Sequence, residues 1–140
     1  METRLKIFKQ SEIDEIMGRI TGCTTLKDVA KDADFVIESV AEDLEVKRKT
    51  WKEMEDYVRP DVIFATNTSG LSPTEISSVL THKDRFVVAH FWNPPYLIPL
   101  VEVVPGKWTS EAAVDTTWKL MEKIGKKPVA LKKEAYGFVG

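Results

Sequence analysis

Two residues that could carry acid–base chemistry, His90 and Glu102, lie in one short stretch of the sequence. Apolar, β-branched runs at residues 86–89 and 100–104 predict two strands, and the prolines between them exclude a helical crossover. The two strands are therefore expected to run antiparallel. Because Glu102 lies in an otherwise apolar strand, where an unpaired carboxylate would be costly, we predict that its side chain meets that of His90.

A histidine held by a buried carboxylate has one ring nitrogen fixed as a donor, and the other can act as a base toward a cleft. The carboxylate also stabilises the imidazolium that forms when this base takes a proton. Such a pair suits the removal of a proton from a hydroxyl group. Two alternatives stay open: His90 as an interior histidine with Glu102 as its structural partner, and hydrolysis with Ser69 as nucleophile, although Ser69 lacks the G-x-S-x-G context.

Further polar residues follow the ends of predicted strands, where ligands bind in open parallel sheets. This coincidence predicts a ligand site at that edge of the sheet. The alternatives are that Asn67 and Ser69 only form a turn, and that Glu42 and Lys47 form the solvated start of a helix. The polar residues in question are Glu42 after the strand at residues 36–40, Asn67 and Ser69 after the strand at residues 62–66, and His90 and Asn93 after the strand at residues 86–89.

The elements that must position these residues alternate between strands and helices, which indicates βαβ units. We therefore predict an α/β domain with a mainly parallel sheet and one antiparallel hairpin near its end. The remaining predicted elements are a helix capped by Ser11 that ends between Gly18 and Ile20, a strand-like segment at residues 21–25, one or two helical turns at 26–30, a helix at 44–58 stopped by Pro60, a short helix at 73–79, a helix capped by Thr109 or Ser110 and ended by Gly125, and a short strand at 129–131.

The composition limits the classes of protein to consider. With 140 residues and 43% hydrophobic content the chain can form one core, and a net charge of -2 without a basic stripe argues against a nucleic-acid partner. One cysteine, Cys23, excludes an internal disulfide and a cysteine-rich metal site, and we expect it to be a packing residue. No signal peptide or membrane span is predicted, so we expect a soluble protein in the reducing cytoplasm.

The sequence from about Arg19 to Gly140 resembles the nucleotide-binding domain of the L-3-hydroxyacyl-CoA dehydrogenases, a family that includes 3-hydroxybutyryl-CoA dehydrogenase. The resemblance implies a partial Rossmann-like, doubly wound sheet, NAD as cofactor, and an acyl-CoA substrate whose L-3-hydroxyl is oxidised to a 3-ketone in fatty acid metabolism. The motifs that carry it are D-F-V-I-E-S-V-A-E-D-L-E-V-K, A-T-N-T-S, D-R-F-V-V-A-H-F-W-N-P-P, L-V-E-V-V and Y-G-F-V-G, in the order and spacing of the family.

The resemblance also implies a role for each matching polar residue. His90 would be the general base that removes the hydroxyl proton, and Glu102 would orient it. Ser69 would contact both the substrate and the nicotinamide. The remaining assignments are Asn93 beside the nicotinamide, Glu42 and Lys47 lining the cofactor, and Asn67 in a supporting role in the turn.

The sequence also departs from the family pattern. It contains no G-x-G, the motif that holds the pyrophosphate of a dinucleotide. We therefore expect residues 1–140 to be a single domain that is the C-terminal part of an NAD-binding domain, without the glycine-rich N-terminal part and the C-terminal helical domain. Trp92, where relatives often have a smaller aromatic residue, and Tyr136, where many have proline, indicate a subgroup of unnamed substrate.

Three functions follow from this pattern. The first is a hydroxyacyl-CoA dehydrogenase whose fragment alone is inactive and binds NAD weakly. The second is a non-catalytic remnant or assembly module that forms a homo-oligomer through the edge of its incomplete sheet. The third is a lambda-crystallin-like dehydrogenase that oxidises sugar acids or carnitine.

Overall fold

The computed structural model describes residues 9–135, so residues 1–8, Tyr136 and the Y-G-F-V-G motif lie outside the described residues. No helix within this range is long and apolar enough to cross a membrane. The described elements, in chain order, are α1 (Gln10–Met17), α2 (Leu26–Ala30), β1 (Phe35–Glu38), α3 (Leu44–Glu55), β2 (Ile63–Thr66), α4 (Pro73–Ser77), a 3-10 turn (Lys83–Arg85), β3 (Phe86–Phe91), β4 (Leu100–Pro105), α5 (Glu111–Lys123) and β5 (Lys127–Ala130).

The five strands form one sheet in the order β1-β2-β3-β4-β5. Strands β1, β2 and β3 are parallel, β4 runs antiparallel to β3, and β5 is parallel to β4. The predicted α/β architecture, a mainly parallel sheet with an antiparallel hairpin near its end, is confirmed. The short, proline-rich connection between β3 and β4 explains the reversal, because it leaves no room for a crossover helix.

Helices cover both faces of the sheet, as in a doubly wound fold. Alternate strand residues point to opposite faces, so Val36, Phe64 and Phe86 pack with Trp51 of α3 in one core beneath α2, α3 and α4. The opposite face packs against Met121 of α5. The strand residues of this second core are Ala65, Val87, Ala89, Val101 and Val103.

The ends of the two long helices follow from single residues. Asp43 caps α3, since its carboxylate accepts a hydrogen bond of 2.9 Å from the Val46 amide. Ser110 caps α5, as predicted, and accepts from the Ala113 amide at 3.2 Å. Gly125 ends α5 with a φ of 81°, a left-handed conformation that favours glycine.

Three predictions near the N-terminus are wrong. Helix α1 begins at Gln10 rather than after a Ser11 cap, and the Glu12 carboxylate accepts from the Lys9 amide at 2.7 Å. Residues 21–25 form no strand, because Thr25 instead caps α2 by accepting from the Asp28 amide at 3.2 Å. Cys23, which we expected to pack in the interior, is exposed.

Strand boundaries also differ from the sequence prediction, among them those of β3, β2 and β5. Strand β3 extends two residues further, to Phe91, so His90 lies within the strand rather than at its exit. Strand β2 runs over Ile63–Thr66 and therefore begins one residue later than predicted. Strand β5 begins at Lys127 instead of Val129, because the Lys127 amide already bonds to the Pro99 carbonyl at 2.8 Å.

Candidate active site

His90 and Glu102 face each other across the β3–β4 hairpin. They are register partners in the antiparallel ladder, and His90 Nδ1 lies 2.7 Å from Glu102 Oε2. The Glu102 side chain is 1% exposed, whereas that of His90 is 18% exposed. The contact predicted from the sequence is therefore present, between a buried acid and a histidine that reaches the surface.

Trp92 contacts the same carboxylate, a contact that was not predicted from the sequence. Its indole Nε1 donates to Glu102 Oε2 at 2.9 Å. Side chains two residues apart on a strand share a face, so Trp92 follows His90 on the side where Glu102 lies. This i, i+2 spacing was the signal in the sequence that could have indicated the contact.

The end of β2 is tied to the end of β3 by Asn67. Its side-chain carbonyl oxygen accepts a 2.8 Å hydrogen bond from the Phe91 amide, and its backbone amide bonds to the Glu38 carbonyl of β1 at 2.9 Å. Asn67 therefore does more than form a turn, because it fixes the ends of three parallel strands relative to each other. The sequence prediction that these strand ends meet at one edge is confirmed.

Glu42 anchors the loop that follows β2. Its Oε1 accepts a 3.0 Å hydrogen bond from the Ser69 amide and another from the Thr68 hydroxyl. Burial by itself raises the pKa of the Glu42 carboxyl, but the hydrogen bonds from Thr68 and Ser69 and the charge of Lys47 lower that pKa, which ends below its usual value. A carboxylate is thus held ionised at the predicted ligand edge, with its side chain 46% exposed.

Lys47 is enclosed rather than solvated. Its ammonium lies 2.8 Å from Glu38 Oε1 and 3.4 Å from Glu42 Oε2, and its side chain is only 1% exposed. The other Glu38 oxygen accepts from the Thr66 hydroxyl at 2.7 Å. The alternative of a solvated helix start is therefore wrong for Lys47, and its direct contact with a cofactor stays a prediction.

The Glu38–Lys47 pair was not predicted, although the sequence contains a signal for it. Leu44, Trp51, Met54 and Val58 mark the apolar stripe of α3, and Lys47 lies on that stripe between Leu44 and Trp51. A lysine among core positions needs an interior anion. Glu38, at the alternate position to the buried Val36 on β1, is that anion.

Ser69 and Asn93, the two other predicted site residues, are both exposed. Ser69 lies in the loop anchored by Glu42, and Asn93 lies two residues beyond the end of β3 and precedes a cis peptide bond with Pro94. The loop that follows is held by Lys126, whose ammonium donates to the carbonyls of Pro95 and Ile98. The structure thus places both residues at the same edge as His90, on connections fixed to the sheet by hydrogen bonds.

A cavity of about 830 Å³ lies away from these residues. It is lined by the turn after β4, by α5 and by residues 131–134, with Trp118 and Leu131 among its apolar walls, and it contains none of the predicted site residues. Within residues 9–135, no group of three or more His, Cys, Asp or Glu side chains could hold a metal ion. We take the acid–base group around His90 as the candidate active site, because a buried carboxylate contacts a histidine that reaches the surface there.

The arrangement can hold an imidazole in one orientation and let it take a proton. Glu102 accepts from Nδ1, which fixes the ring and stabilises the imidazolium. The exposed Ser69 hydroxyl, the Asn93 amide and the ionised Glu42 carboxylate are donors and acceptors of the kind that bind a nicotinamide–ribose group, and their contact with the cofactor stays a prediction. These residues fit the cofactor that the resemblance implies.

Known proteins are similar to this chain in sequence and in structure. Residues 2–135 match the sequence profile described as "3-hydroxyacyl-CoA dehydrogenase, NAD binding domain". The chain is 42% identical over 123 residues to an L-carnitine dehydrogenase/betainyl-CoA thioesterase of a Rhizobium species, covering 88% of this chain and 25% of that protein. It is 39% identical over 127 residues to the human lambda-crystallin homolog, covering 91% of this chain and 40% of that protein.

Among solved structures, the (S)-3-hydroxybutyryl-CoA dehydrogenase of Ralstonia eutropha superposes with a TM-score of 0.90 at 34% identity, over 95% of this chain and 46% of that one. A 3-hydroxybutyryl-CoA dehydrogenase from Escherichia coli K12 superposes with a TM-score of 0.85 at 31% identity, over 88% of this chain and 26% of that one. The chain therefore spans between a quarter and a half of the lengths of these relatives.

Proposed function

Since this chain belongs to the 3-hydroxyacyl-CoA dehydrogenase NAD-binding domain family of NAD-dependent oxidoreductases, we propose that it supplies the acid–base centre for oxidising the hydroxyl of an L-3-hydroxyacyl-CoA to the 3-ketone. The observation that carries the proposal is the 2.7 Å contact between His90 Nδ1 and the buried Glu102 carboxylate. In this proposal His90 takes the hydroxyl proton on Nε2, and Glu102 stabilises the imidazolium that results.

The cofactor NAD, when bound, accepts the hydride that leaves C3 of the substrate. The residues we assign to its nicotinamide end are Glu42, Ser69 and Asn93, and Asn67 holds their supporting loops together. Lys47 acts on this group through Glu42, whose Oε2 lies 3.4 Å from the Lys47 ammonium. Ser69 also contacts the substrate hydroxyl in this proposal, beside His90.

An NAD titration tests the first part of the proposal. Because the sequence contains no glycine-rich phosphate loop, we expect the 140-residue chain alone to bind NAD weakly and to show negligible turnover. Micromolar affinity in calorimetry would contradict this. A chimera that joins the chain to the glycine-rich segment and the helical domain of a relative should instead form NADH from a 3-hydroxyacyl-CoA.

Substitution of the two histidines tests the role of His90 within that chimera. His90→Gln should lower the turnover number by about 100-fold or more, as the loss of a general base does. His82→Gln is the matched control, because His82 is the only other histidine and is exposed. Equal activity of the His90→Gln variant and the control would rule out the proposed base.

A second candidate substrate is L-carnitine. A relative that is 42% identical is named L-carnitine dehydrogenase/betainyl-CoA thioesterase, which supports a dehydrogenase of carnitine, and sugar acids stay a further alternative. Carnitine and a 3-hydroxyacyl thioester both present a secondary hydroxyl at C3, and one base serves both. Rates with 3-hydroxybutyryl-CoA and with L-carnitine, measured on the protein together with the sequence that flanks this chain in its genome, distinguish the two.

A non-enzymatic assembly role also has an observation in its favour. Within residues 9–135, β1 pairs only with β2. Ile37 within β1 is 45% exposed, and Val40 just beyond its end is 39% exposed. Unpaired strand edges with apolar side chains promote association. If this is the function, the chain forms a homo-oligomer through β1, and sedimentation at several concentrations will show it; a monomer at every concentration counts against it.

We also propose a cytoplasmic location. A single exposed thiol, Cys23, suits a reducing compartment. Fractionation of cells that express the protein from its natural gene tests this location, and recovery of the protein outside the cytoplasm would exclude it.

A further inference from the structure

The Glu102 carboxylate oxygen that contacts His90 also contacts Trp92. His90 Nδ1 lies 2.7 Å and Trp92 Nε1 lies 2.9 Å from the same atom, Oε2. His90 lies on β3 and Trp92 directly follows the end of that strand, while Glu102 lies opposite His90 on β4. The rings of His90 and Trp92 are 6.4 Å apart between centroids, so they approach the oxygen from different directions.

This geometry restricts the carboxylate. Each oxygen of an ionised carboxylate can accept two hydrogen bonds, and His90 and Trp92 both donate to Oε2. Rotation of the carboxylate about its last bond would break these two hydrogen bonds at once, so the donation from Trp92 adds to the barrier that the His90 contact alone provides. The indole N–H has no acceptor capacity, so it can only donate and cannot compete with Glu102 for the His90 proton.

We propose that Trp92 is a positioning residue that fixes Glu102 Oε2 and thereby keeps the His90 proton on Nδ1. This inference rests on the proposed function of His90 as the base, because only the tautomer with hydrogen on Nδ1 presents Nε2 as a proton acceptor. Trp92 acts through Glu102 and is not itself assigned a contact with substrate or cofactor. A residue with an aromatic ring but without the N–H would fill much of the space and lose the effect.

Long-range proton–nitrogen NMR spectra of the imidazole rings test this on the complete 140-residue chain, without any need for turnover. The chain has only two histidines, so His82 serves as an internal reference. We expect the unmodified chain to show His90 with hydrogen on Nδ1. In Trp92→Phe, the two His90 nitrogen signals should move toward each other, because both tautomers become populated.

Trp108→Phe is the matched control. Trp108 lies beyond the end of β4, where its ring contacts Lys83 and Lys107, and its loss should leave the His90 signals unchanged. If Trp92→Phe leaves the His90 nitrogen signals where Trp108→Phe leaves them, the positioning role is wrong. Such a result would leave the proposed function of His90 standing. If the chimera is inactive but Trp92→Phe shifts the His90 signals as expected, the proposed function is wrong and the positioning role of Trp92 stands.

A second measurement covers the case in which Trp92→Phe does not fold. In the unmodified chain, the Trp92 indole N–H should exchange with deuterium on the order of tenfold more slowly than that of the 38% exposed Trp108. Glu102→Gln should move the Trp92 indole signal, since a neutral amide oxygen is a weaker acceptor than a carboxylate. Exchange as fast as that of Trp108, or an indole signal that Glu102→Gln leaves in place, would overturn the proposal.

Discussion

Two buried carboxylates of the sheet, Glu38 on β1 and Glu102 on β4, bind basic partners in different surroundings. Glu38 is paired with Lys47, and both side chains are nearly inaccessible, at 3% and 1% exposure. Glu102 is equally buried, but its partner His90 is 18% exposed. We call Glu38 and Lys47 the sealed pair, and Glu102 and His90 the open pair.

The difference separates a structural pair from one that can exchange protons. A buried ion pair without access to solvent keeps its charges in place, and removing one partner leaves the other without compensation. In the open pair, the histidine can pass a proton to a molecule outside while the acid keeps the ring oriented. A buried acid beside a base is therefore insufficient to indicate catalysis. The base must also be accessible to a molecule from solvent.

Removal of the cation from the sealed pair should produce the largest effect. Lys47→Met leaves the Glu38 charge buried and uncompensated, so we expect the free energy of unfolding to fall by about 3–5 kcal/mol. Chemical denaturation measures this. Lys49→Met, an exposed change on the same helix, is the control and should have little effect; a loss for Lys47→Met as small as that of the control would remove the distinction between the pairs.

Loss of the histidine from the open pair should cost less. His90→Phe keeps a ring but takes one donor from the Glu102 carboxylate, and we expect a loss of about 1–3 kcal/mol. Water can reach this position and Trp92 still donates to Oε2, which limits the loss. Chemical denaturation compares His90→Phe with Lys47→Met. If His90→Phe is the more destabilising change, the distinction between the sealed pair and the open pair is wrong.

A substitution of Gly125, which lies between α5 and β5, should have a smaller effect on stability. Gly125→Ala places a side chain at a φ of 81°, which should lower the free energy of unfolding by about 1–2 kcal/mol. Open space surrounds this position, so the backbone conformation alone is tested. Thermal unfolding measures the loss, and Gly22→Ala, at a second glycine with open space around it, should not reproduce it.

The smallest effect concerns Glu42, which borders both the sealed pair and the loop of Ser69. Its folded-state pKa lies below the ordinary value of 4.5, so its stabilising contribution is complete above that pH and is lost as the pH falls through the folded-state pKa. Because the side chain is 46% exposed, solvent screens the contribution to roughly half a kcal/mol. Denaturation between neutral and acidic pH should show a slightly flatter pH dependence in Glu42→Gln; an unchanged slope contradicts this.

The sequence predicted the parts of this molecule in which local pattern and burial agree. The apolar runs of β1 to β4, the Ser110 cap and the Gly125 end of α5 follow from period, capping and turn chemistry, and the structure confirms them. The contact of His90 with Glu102 followed from the cost of a lone interior carboxylate. The predicted roles of these residues in catalysis stay predictions.

The features that the sequence did not predict depend on which of several possible partners a side chain takes. Residues 21–25 have β-branched content typical of a strand, but Thr25 is used as a helix cap instead. The pairing of Lys47 with Glu38 and the donation from Trp92 to Glu102 depend on how α3 and β4 lie against neighbouring strands. Side-chain type alone does not determine such three-dimensional neighbours.

The order of the strands in space, β1-β2-β3-β4-β5, is also their order in time as the chain leaves the ribosome. Each new strand finds its partner in the one made just before it, and no earlier strand has to move aside for a later one. Each strand from β2 onward can therefore pair, as it emerges, with a strand that is already made. His90 leaves the ribosome before Glu102, so the acid–base pair is complete only when the β3–β4 hairpin closes.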